Sequence, residues 1–238
     1  MPSRNVAKHA RVENLSQLNS EVTGCERCPR LRSYCAEIAR VKRRAHIEFE
    51  YWARPVPSFG DPEARLWVLG LAPAAHGSNR TGRPFTGDGP RSILYPVLHR
   101  TGFASQAESI DRNDGMKLTD LWVGAVVRCA PPDNKPTPEE IRNCGPWLDA
   151  ELGLLKNCRV VVCLGKIAFD AFLASAMRTG VIEARRGYEF GHGAEYRLPN
   201  GMALLASYHP SLQNTNTGRL TPKMFEEIFK RARKLAES

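Results

Sequence analysis

The sequence predicts an α/β fold: a three-layer αβα arrangement with a central, mostly parallel four-stranded sheet flanked by helices. Four nearly continuous apolar runs look like strands buried on both faces, as parallel strands are. These runs are LWVLGL (66–71), LWVGAVV (121–127), RVVVCLG (159–165) and MALLASY (202–208). Helix-like stretches separate them, and alternation of strand and helix favours a parallel sheet. A hydrophobic content of 42% is enough for a substantial core.

The predicted helices cover SILYPVLHRTG (92–102), TPEEIRNCGPWLDAELGLL (137–155), GKIAFDAFLASAM (165–177) and a last segment from Thr221 to the C-terminal end. Thr137, followed by Pro138 and by Glu140 three residues on, is a strong helix start. Residues 185–200 suggest a glycine-containing hairpin or an excursion at a sheet edge. We expect one domain over residues 1–238, with a surface insertion within residues 30–60.

The chain is strongly basic, with 34 Lys and Arg against 25 Asp and Glu and a net charge of +9. Such an excess indicates attraction to polyanions. Basic residues gather at 39–46, 80–83 and 230–234. A solvated helix face explains the last run equally well, whereas the second lies inside a glycine-rich loop. No apolar run is long enough to span a bilayer, and the first residues lack a secretory apolar region. We therefore expect a cytoplasmic monomer without membrane contact.

Seven cysteines in such a chain indicate metal or redox chemistry rather than a disulfide framework. Cys25 and Cys28 form a C-x2-C pair, and Cys129 and Cys144 follow far along the chain. Thiolates from two segments can ligate zinc or an iron–sulfur cluster; the alternative for the second pair is that both are simply buried thiols. Core packing is favoured for two others, Cys158 and Cys163. Cys35 is either a spare ligand or a helix residue.

The loop after the first predicted strand has the position of an active site but no reactive residue at its tip. Residues 66–90 read LWVLGLAPAAHGSNRTGRPFTGDGP. Loops that leave the carboxyl ends of parallel strands are where open α/β proteins bind ligands. The first turn, Gly70-Leu71-Ala72-Pro73-Ala74, contains no acid, base or nucleophile. The reactive groups must therefore come from elsewhere.

Three motifs then occur together: GLAPAAHGSNRTGRPFTGD, VVRCAPPDNKPTPEEIRNC and YHPSLQNTNTGRLT. In this order, and with four cysteines, they resemble the uracil-DNA glycosylase superfamily, most closely its family five. The resemblance covers residues 24 to about 222. It implies a DNA-repair enzyme that hydrolyses the N-glycosidic bond of uracil and related bases in double- or single-stranded DNA, in a bacterial or archaeal cytosol. It also implies a 4Fe–4S cluster on Cys25, Cys28, Cys129 and Cys144, which makes zinc the less favoured occupant.

The resemblance also assigns roles in the base pocket. Phe85 would stack on the base, and Asn134 would meet its pairing edge. His209 would face the base O2 and stabilise the anionic leaving group, which is often the largest catalytic contribution. Asp88 would orient water or balance positive charge on the sugar. Gly70, Leu71, Ala72 and Pro73 would form the pocket wall.

Contacts with DNA are expected from two loops. In the first, His76, Asn79 and Arg80 would contact base or phosphate. In the second, Ser211, Asn214 and Arg219 belong to the loop that enters the duplex, with Leu212 or Gln213 as the wedge.

Family five lacks a polar residue in the first turn, as this chain does. Small side chains at Ala72 and Ala74 are expected to admit bases larger than uracil, including 5-hydroxymethyluracil and hypoxanthine. No lysine is placed to form a Schiff base, so a monofunctional enzyme that leaves an abasic site is expected.

Two other classes of protein compete with this interpretation. A non-catalytic nucleic-acid-binding module with a four-cysteine zinc site would explain the charge and the cysteines, but not the loop, Asn134 and His209 together. It would also be colourless, whereas an iron–sulfur cluster absorbs visible light. A flavodoxin-like small-molecule enzyme should carry a phosphate-binding loop such as G-x-x-x-x-G-K-[ST], and the sequence has none.

Overall fold

The computed structural model describes residues 12–89 and 92–238 and contains one mixed sheet of six strands, in the order β1-β3-β2-β4-β6-β5. The strands are β1 (Phe59–Gly60), β2 (Leu66–Gly70), β3 (Leu121–Ala125), β4 (Val160–Leu164), β5 (Glu195–Arg197) and β6 (Ala203–Ser207). The central four, β3-β2-β4-β6, are parallel, which confirms the four predicted strands. The prediction of a four-stranded sheet was incomplete, because β1 and β5 add antiparallel edges.

The two edge strands were missed because they are only 2 and 3 residues long, too short for an alternating pattern to show. β5 does lie within residues 185–200, where an edge excursion was expected. The antiparallel edges leave the parallel strands in the centre of the sheet.

The described residues form eight helices and two short 3-10 turns, Arg44–His46 and Pro132–Asn134. The helices are α1 (Leu15–Thr23), α2 (Pro29–Val41), α3 (Ser78–Thr81), α4 (Leu94–Arg100), α5 (Pro138–Leu154), α6 (Lys166–Arg178), α7 (Leu212–Asn216) and α8 (Pro222–Glu237). The capping box at the start of α5 is present: the Thr137 side chain accepts from the Glu140 backbone, and Glu140 accepts from the Thr137 backbone. None of the described helices is long and apolar enough to cross a membrane.

The strand side chains alternate between two cores, which establishes the three layers. Trp67 and Leu69 of β2 pack in the core that includes α1, α2, α5 and α6, and Leu66 and Val68 pack in the core beneath α4 and α8. Both cores are closed to solvent at β2, since these four side chains are 0% exposed. This explains why the strands appear as continuous apolar runs in the sequence.

Residues 30–60 differ from the expected surface insertion. Their first third is α2, and its Leu31 and Cys35 are fully buried in the core beside α5. Tyr51 and Val56 are also buried. The apolar side of α2 was obscured in the sequence by its charged residues, most of which, such as Arg30, Glu37 and Arg40, are exposed.

A buried ion pair joins the sheet to α5. Arg128, just beyond β3, pairs with Glu151 of α5, and both side chains are almost completely inaccessible. The same guanidinium donates to Ser58 Oγ, and Trp122 Nε1 donates to Glu151 Oε1 at 3.1 Å. Hydrogen bonds of this kind are what make a buried charge tolerable. The network therefore ties the edge segment, β3 and α5 together.

Removal of one partner of the Arg128–Glu151 ion pair should strongly destabilise the protein. We expect Glu151→Ala to lower the free energy of unfolding by about 3–5 kcal/mol, because it leaves the Arg128 charge buried and unpaired. Urea denaturation measures this. Glu37→Ala breaks an exposed pair with Arg40 on α2 and is the control, for which we expect an unchanged midpoint. Equal midpoints for both variants would contradict this role of the network.

Candidate active site

The predicted site residues gather at the carboxyl edge of the sheet, where the chain order reverses. β2 is flanked by β3 on one side and β4 on the other, and ligands of open α/β sheets bind at such a switch point. A cavity of about 270 Å³ opens there. Its wall includes Leu71 after β2, Leu164 and Gly165 after β4, and Tyr208 and His209 after β6.

Phe85 lies against the end of β2 in a way that requires glycine at position 70. A Cβ added to Gly70 would lie 2.4 Å from Phe85 Cζ, so no other residue fits there without displacing the ring. Phe85 itself has a left-handed φ of 53°, which is uncommon for a bulky residue and indicates a constrained position. Its ring centroid is 6.2 Å from that of His209, with the planes inclined by 33°. The structure thus brings these two predicted residues together.

His209 follows β6 and is held by its backbone. Its carbonyl oxygen accepts from Asn214 Nδ2 at 2.8 Å, and its Cβ closely approaches Gly165, which has a φ of 94°. The residue is partly exposed as a whole, but its imidazole is desolvated, and this lowers its pKa to about 4. Within the described residues the imidazole makes no hydrogen bond. The ring is therefore neutral near pH 7 and free to bind a ligand.

Asp88 lies at the far end of the loop with its carboxylate turned inward. A Cβ on Gly77 would fall 1.7 Å from Asp88 Oδ1, so the two are in close contact. Residue 88 as a whole is exposed, yet burial of the carboxyl group raises its pKa to about 6, against a smaller opposing effect of Arg80. The inward direction of the carboxylate reconciles the exposed backbone with the raised pKa.

Two of the three residues predicted to contact DNA from the first loop are internal. Asn79 is 0% exposed and donates to the carbonyls of Cys35 and Ala75. Arg80 is 6% exposed and donates to the carbonyls of His76 and Gly87. Their donors are used within the protein, which argues against direct DNA contact and makes them supports of the loop. His76 remains partly accessible, with Tyr51 Oη at 3.0 Å from its Nδ1.

The loop also rests on a buried ion pair that the sequence did not reveal. Arg83, 3% exposed, pairs with Asp114 at 2.5 Å and donates to Thr86 Oγ1 and Ser109 Oγ. Asp114 also accepts from three backbone N–H groups of residues 110–116. It belongs to a polar, turn-like stretch, so nothing in the sequence distinguished it from an ordinary loop Asp. The pair fixes the segment that carries Phe85.

The first turn of the loop joins the neighbouring strand. Val126 N donates to Gly70 O at 3.0 Å and Val127 N donates to Leu71 O at 2.9 Å, which extends the pairing of β2 and β3 past their ends. Pro73 is buried and Ala72 is half-buried beside the core. The turn is therefore a rigid wall of small and apolar groups.

Asn134 is not brought into contact with Phe85 or His209. It ends the short turn Pro132–Asn134 after β3, at the same sheet edge, and is exposed with a left-handed φ of 56°. Its side chain makes no hydrogen bond with another described residue.

The second loop forms α7 on the outer side of His209. Ser211 caps α7 by accepting from Asn214 N at 3.4 Å, and Leu212 is 46% exposed beside an exposed Gln213. The Arg219 guanidinium lies 4.5 Å from the centroid of the Tyr208 ring. Asn214 and Arg219 also line the cavity.

The four cysteines predicted as ligands lie in one neighbourhood. Cys25 and Cys28 are close enough to Cys144 to contribute to its raised pKa, and Cys144 is close enough to Cys129 to do the same there. Burial raises the pKa of Cys144 to about 11, against the lowering effect of Arg128. Asn143 Nδ2 donates to Cys28 Sγ at 3.6 Å. Cys158 and Cys163 are also buried, and no thiol of this set contributes to their raised pKa values, which fits core packing.

The chemistry of this donor set suits a metal or cluster, because four thiols lie in one region of the fold with cations nearby. Their present arrangement is looser: among residues 12–89 and 92–238, no three His, Cys, Asp or Glu side chains are placed to hold a metal ion. Cys35 adds a fifth thiol, which interacts with that of Cys129 and contributes to the raised pKa of Cys129.

Comparison with known proteins agrees with this geometry. A family model described as the uracil DNA glycosylase superfamily matches residues 57–233. A type-5 uracil-DNA glycosylase of Thermus thermophilus is 53% identical over 90% of this chain and 95% of its own length. Similar enzymes of Mycobacterium tuberculosis and Pyrobaculum aerophilum are 48% and 42% identical, over 94% and 90% of this chain and 82% and 89% of their own. The chain therefore belongs to the uracil-DNA glycosylase superfamily, in its type-5 branch, and is a DNA glycosylase.

Proposed function

We propose that this protein removes uracil and related deaminated or modified bases from DNA by hydrolysing the N-glycosidic bond. The observation that carries the proposal is a desolvated, neutral His209 that lines the cavity and has the Phe85 ring beside it, 6.2 Å away between centroids. A glycosylase must extrude its target nucleotide into a pocket, where an aromatic ring can stack on the base and polar groups can read its edge. The proposed stacking ring is Phe85, and Asn134 would close over the pairing edge when DNA is bound.

His209 would stabilise the leaving group. When the bond between C1′ and the base nitrogen breaks, its electron pair remains on the base, and negative charge develops on the O2 atom of a pyrimidine. A neutral imidazole can donate one N–H to that oxygen. Because the site is desolvated, such a fixed donor is worth more than in water and needs no reorganisation during the reaction.

Asp88 would act on the sugar side. Its carboxylate can orient the water that bonds to C1′, take the proton that the water loses, and balance the positive charge of the sugar. A carboxyl group with a pKa of about 6 is ionised at neutral pH and basic enough for this role. In this mechanism Leu71, Ala72 and Pro73 supply shape and Gly70 seats the stacking ring, so the first turn needs no reactive group.

The enzyme would be monofunctional and leave an abasic site. Lys166 lines the cavity, but its Nζ is paired with Asp170 at 2.6 Å and its side chain is 65% exposed. An ammonium group held by a carboxylate has no electron pair for attack on C1′. Hydrolysis by water is therefore the proposed route.

DNA would be held from the α7 side. The exposed Leu212, or Gln213 beside it, would fill the gap left by the extruded nucleotide. Ser211, Asn214, Arg219 and His76 would contact the strand around it. We propose both double- and single-stranded DNA as substrates, a monomeric enzyme, and action in the bacterial or archaeal cytoplasm.

Cys25, Cys28, Cys129 and Cys144 would hold a 4Fe–4S cluster, with zinc as the second candidate. Such a group would supply structural cross-linking: it would clamp the segment before α2 to the loop after β3 and to α5. Cations near the thiols, Arg32 at Cys129 and Arg128 at Cys144, would offset the negative charge of a thiolate-ligated cluster. The clamp would also fix the loop that carries Asn134.

The catalytic assignment predicts the effects of two substitutions on excision from a uracil-containing duplex. His209→Ala should slow single-turnover excision by ~10²–10³-fold, as loss of one stabilising donor does. Asp88→Asn should slow it by ~10²–10⁴-fold. His99→Ala removes an exposed histidine of α4 and is the control. If the wild type releases no uracil, or if both site variants match the control, the assignment is wrong.

The same assay over a range of pH separates the two roles. Since burial raises the Asp88 pKa to about 6, the wild-type rate should rise as pH increases through 6 and then level off. His209, with a pKa of about 4, should stay neutral across this window. The rise should be absent in Asp88→Asn and retained in His209→Ala. A flat wild-type profile from pH 5 to 8 would exclude Asp88 as the titrating group.

The small side chains of the first turn predict a broad range of bases. Duplexes that carry uracil, 5-hydroxymethyluracil or hypoxanthine should each be converted to abasic sites, and an undamaged duplex is the control. Alkaline cleavage on a gel measures the products. Cleavage of the uracil duplex alone would contradict the expected breadth without affecting the uracil activity.

The cluster assignment predicts that Cys129→Ser loses the brown chromophore and soluble protein together. Cys158→Ala also removes a buried thiol, but one packed in the core, and should keep both. Iron and sulfide analysis with visible absorption measures occupancy, and soluble yield measures folding. A Cys129→Ser protein that is colourless but as stable as the wild type would refute the structural role, and a colourless wild type with bound zinc would refute the cluster.

A further inference from the structure

The three basic runs of the sequence have different surroundings in the structure. Arg80 and Arg83, in the second run, are buried and hold the loop together. In the third run, Lys230 pairs with Glu226 and Glu227, and Arg231 pairs with Glu195. The first run, at 39–46, continues past α2 into an exposed segment that the proposed mechanism does not use.

This segment, residues 41–54, is attached directly to the loop of the base pocket. Trp52 N donates to Arg80 O at 2.9 Å, and Ala53 N donates to Asn79 O at 3.0 Å. Tyr51 Oη lies 3.0 Å from His76 Nδ1. The segment thus lies at one side of the pocket loop and has a fixed position relative to it.

The loop of residues 105–115 is also attached to the pocket loop, next to residues 41–54. It is attached to the pocket loop where Gly87 N donates to Ser109 O at 2.9 Å. Its Arg112 guanidinium lies 4.2 Å from the centroid of the Trp52 ring, and that of Arg54 lies 5.8 Å from it. The two segments are therefore adjacent at Trp52, and we call their exposed groups the flank surface, defined by Arg43, Arg44, Ile47, Phe49, Arg54 and Arg112.

The charges of the flank surface are not neutralised within the described chain. None of its four arginines forms an ion pair there, and all four are exposed. Glu48 and Glu50 lie in the same segment but pair with none of them. The pKa values of His46 and His76 are lowered first by desolvation and then by cations that include Arg43 and Arg80. The histidines therefore experience a positive field from this side.

Apolar and aromatic groups are exposed among these charges. Ile47 is 53% exposed and Phe49 is 44% exposed. The Arg80 guanidinium lies 4.9 Å from the Phe49 ring centroid, and the His46 ring meets Phe49 edge-on at 5.6 Å. Unpaired arginines with exposed rings form a surface suited to a polyanion whose sugars and bases also offer apolar contact.

We propose that the flank surface binds the backbone of duplex DNA beside the extruded nucleotide, with Arg43, Arg44 and Arg112 on its phosphates. This inference rests on the proposed function, because it places the damaged nucleotide at Phe85 and His209. Phosphate contacts fix the register of a protein on a duplex without reading its sequence. They would hold the duplex so that the lesion faces the pocket.

The test compares Arg43→Ala/Arg44→Ala with Lys230→Ala/Arg231→Ala, which removes the same charge from the ion-paired face of α8. Affinity for a uracil-containing duplex is measured across salt concentrations. The flank variant should bind about tenfold more weakly, and its log-log salt slope should fall by about two, one for each arginine removed from a phosphate. The α8 variant should keep a slope near that of the wild type. Single-turnover excision at saturating enzyme should be unchanged in both.

Duplex length locates the contact. On a duplex trimmed to a few base pairs on either side of the uracil, the affinities of wild type and flank variant should converge. Equal affinities and slopes for the flank and α8 variants on long duplexes would overturn the proposal and would leave a protein partner as the occupant of this face. Absence of uracil release by the wild type would overturn the proposed function instead. The flank surface would then still be tested, by comparing the affinities of wild type and variants for an undamaged duplex.

Discussion

The close approach of the Phe85 ring to the Cα atom of Gly70 is the contact on which the site depends. It places an aromatic ring at the carboxyl end of β2, 6.2 Å from the ring of the cavity-lining His209, centroid to centroid. Only a residue without a Cβ permits this approach, and the left-handed backbone at Phe85 must be held from outside. The buried pair of Arg83 and Asp114 anchors the chain two residues before Phe85 and so helps to hold it.

Desolvation then sets the protonation of both proposed catalytic groups. It moves the pKa of His209 down to about 4 and that of Asp88 up to about 6, since burial disfavours the charged form of each. The consequences at neutral pH differ. His209 is neutral and Asp88 is still ionised, which matches the roles proposed for them on the base side and on the sugar side. Two titratable groups whose environments favour different charge states are typical of acid–base division in enzymes.

The sequence predicted the central strands well because burial on both faces leaves an unbroken apolar run, and it predicted α5 because the capping box is local. It could not predict the two short edges, whose pairing depends on partners far along the chain. Asn79 and Arg80 show another limit. A polar residue in a glycine-rich loop has the same sequence context whether it points outward to DNA or inward to carbonyls. Asp114 shows the same limit from the other side: its structural role could not be predicted, because its partner Arg83 lies 31 residues away in the sequence.

The distribution of arginine connects these observations to the basic character of the chain. An arginine whose donors are satisfied internally, as in the pocket loop, contributes geometry. An arginine paired with glutamate on α8 contributes little field beyond its own neighbourhood, because the pair is screened and nearly neutral. Only unpaired arginines on an exposed face attract DNA at a distance and release counterions on contact. The net charge of +9 therefore predicts DNA binding less well than the location of exposed arginines without carboxylate partners, four of which, Arg43, Arg44, Arg54 and Arg112, lie on segments attached to the pocket loop.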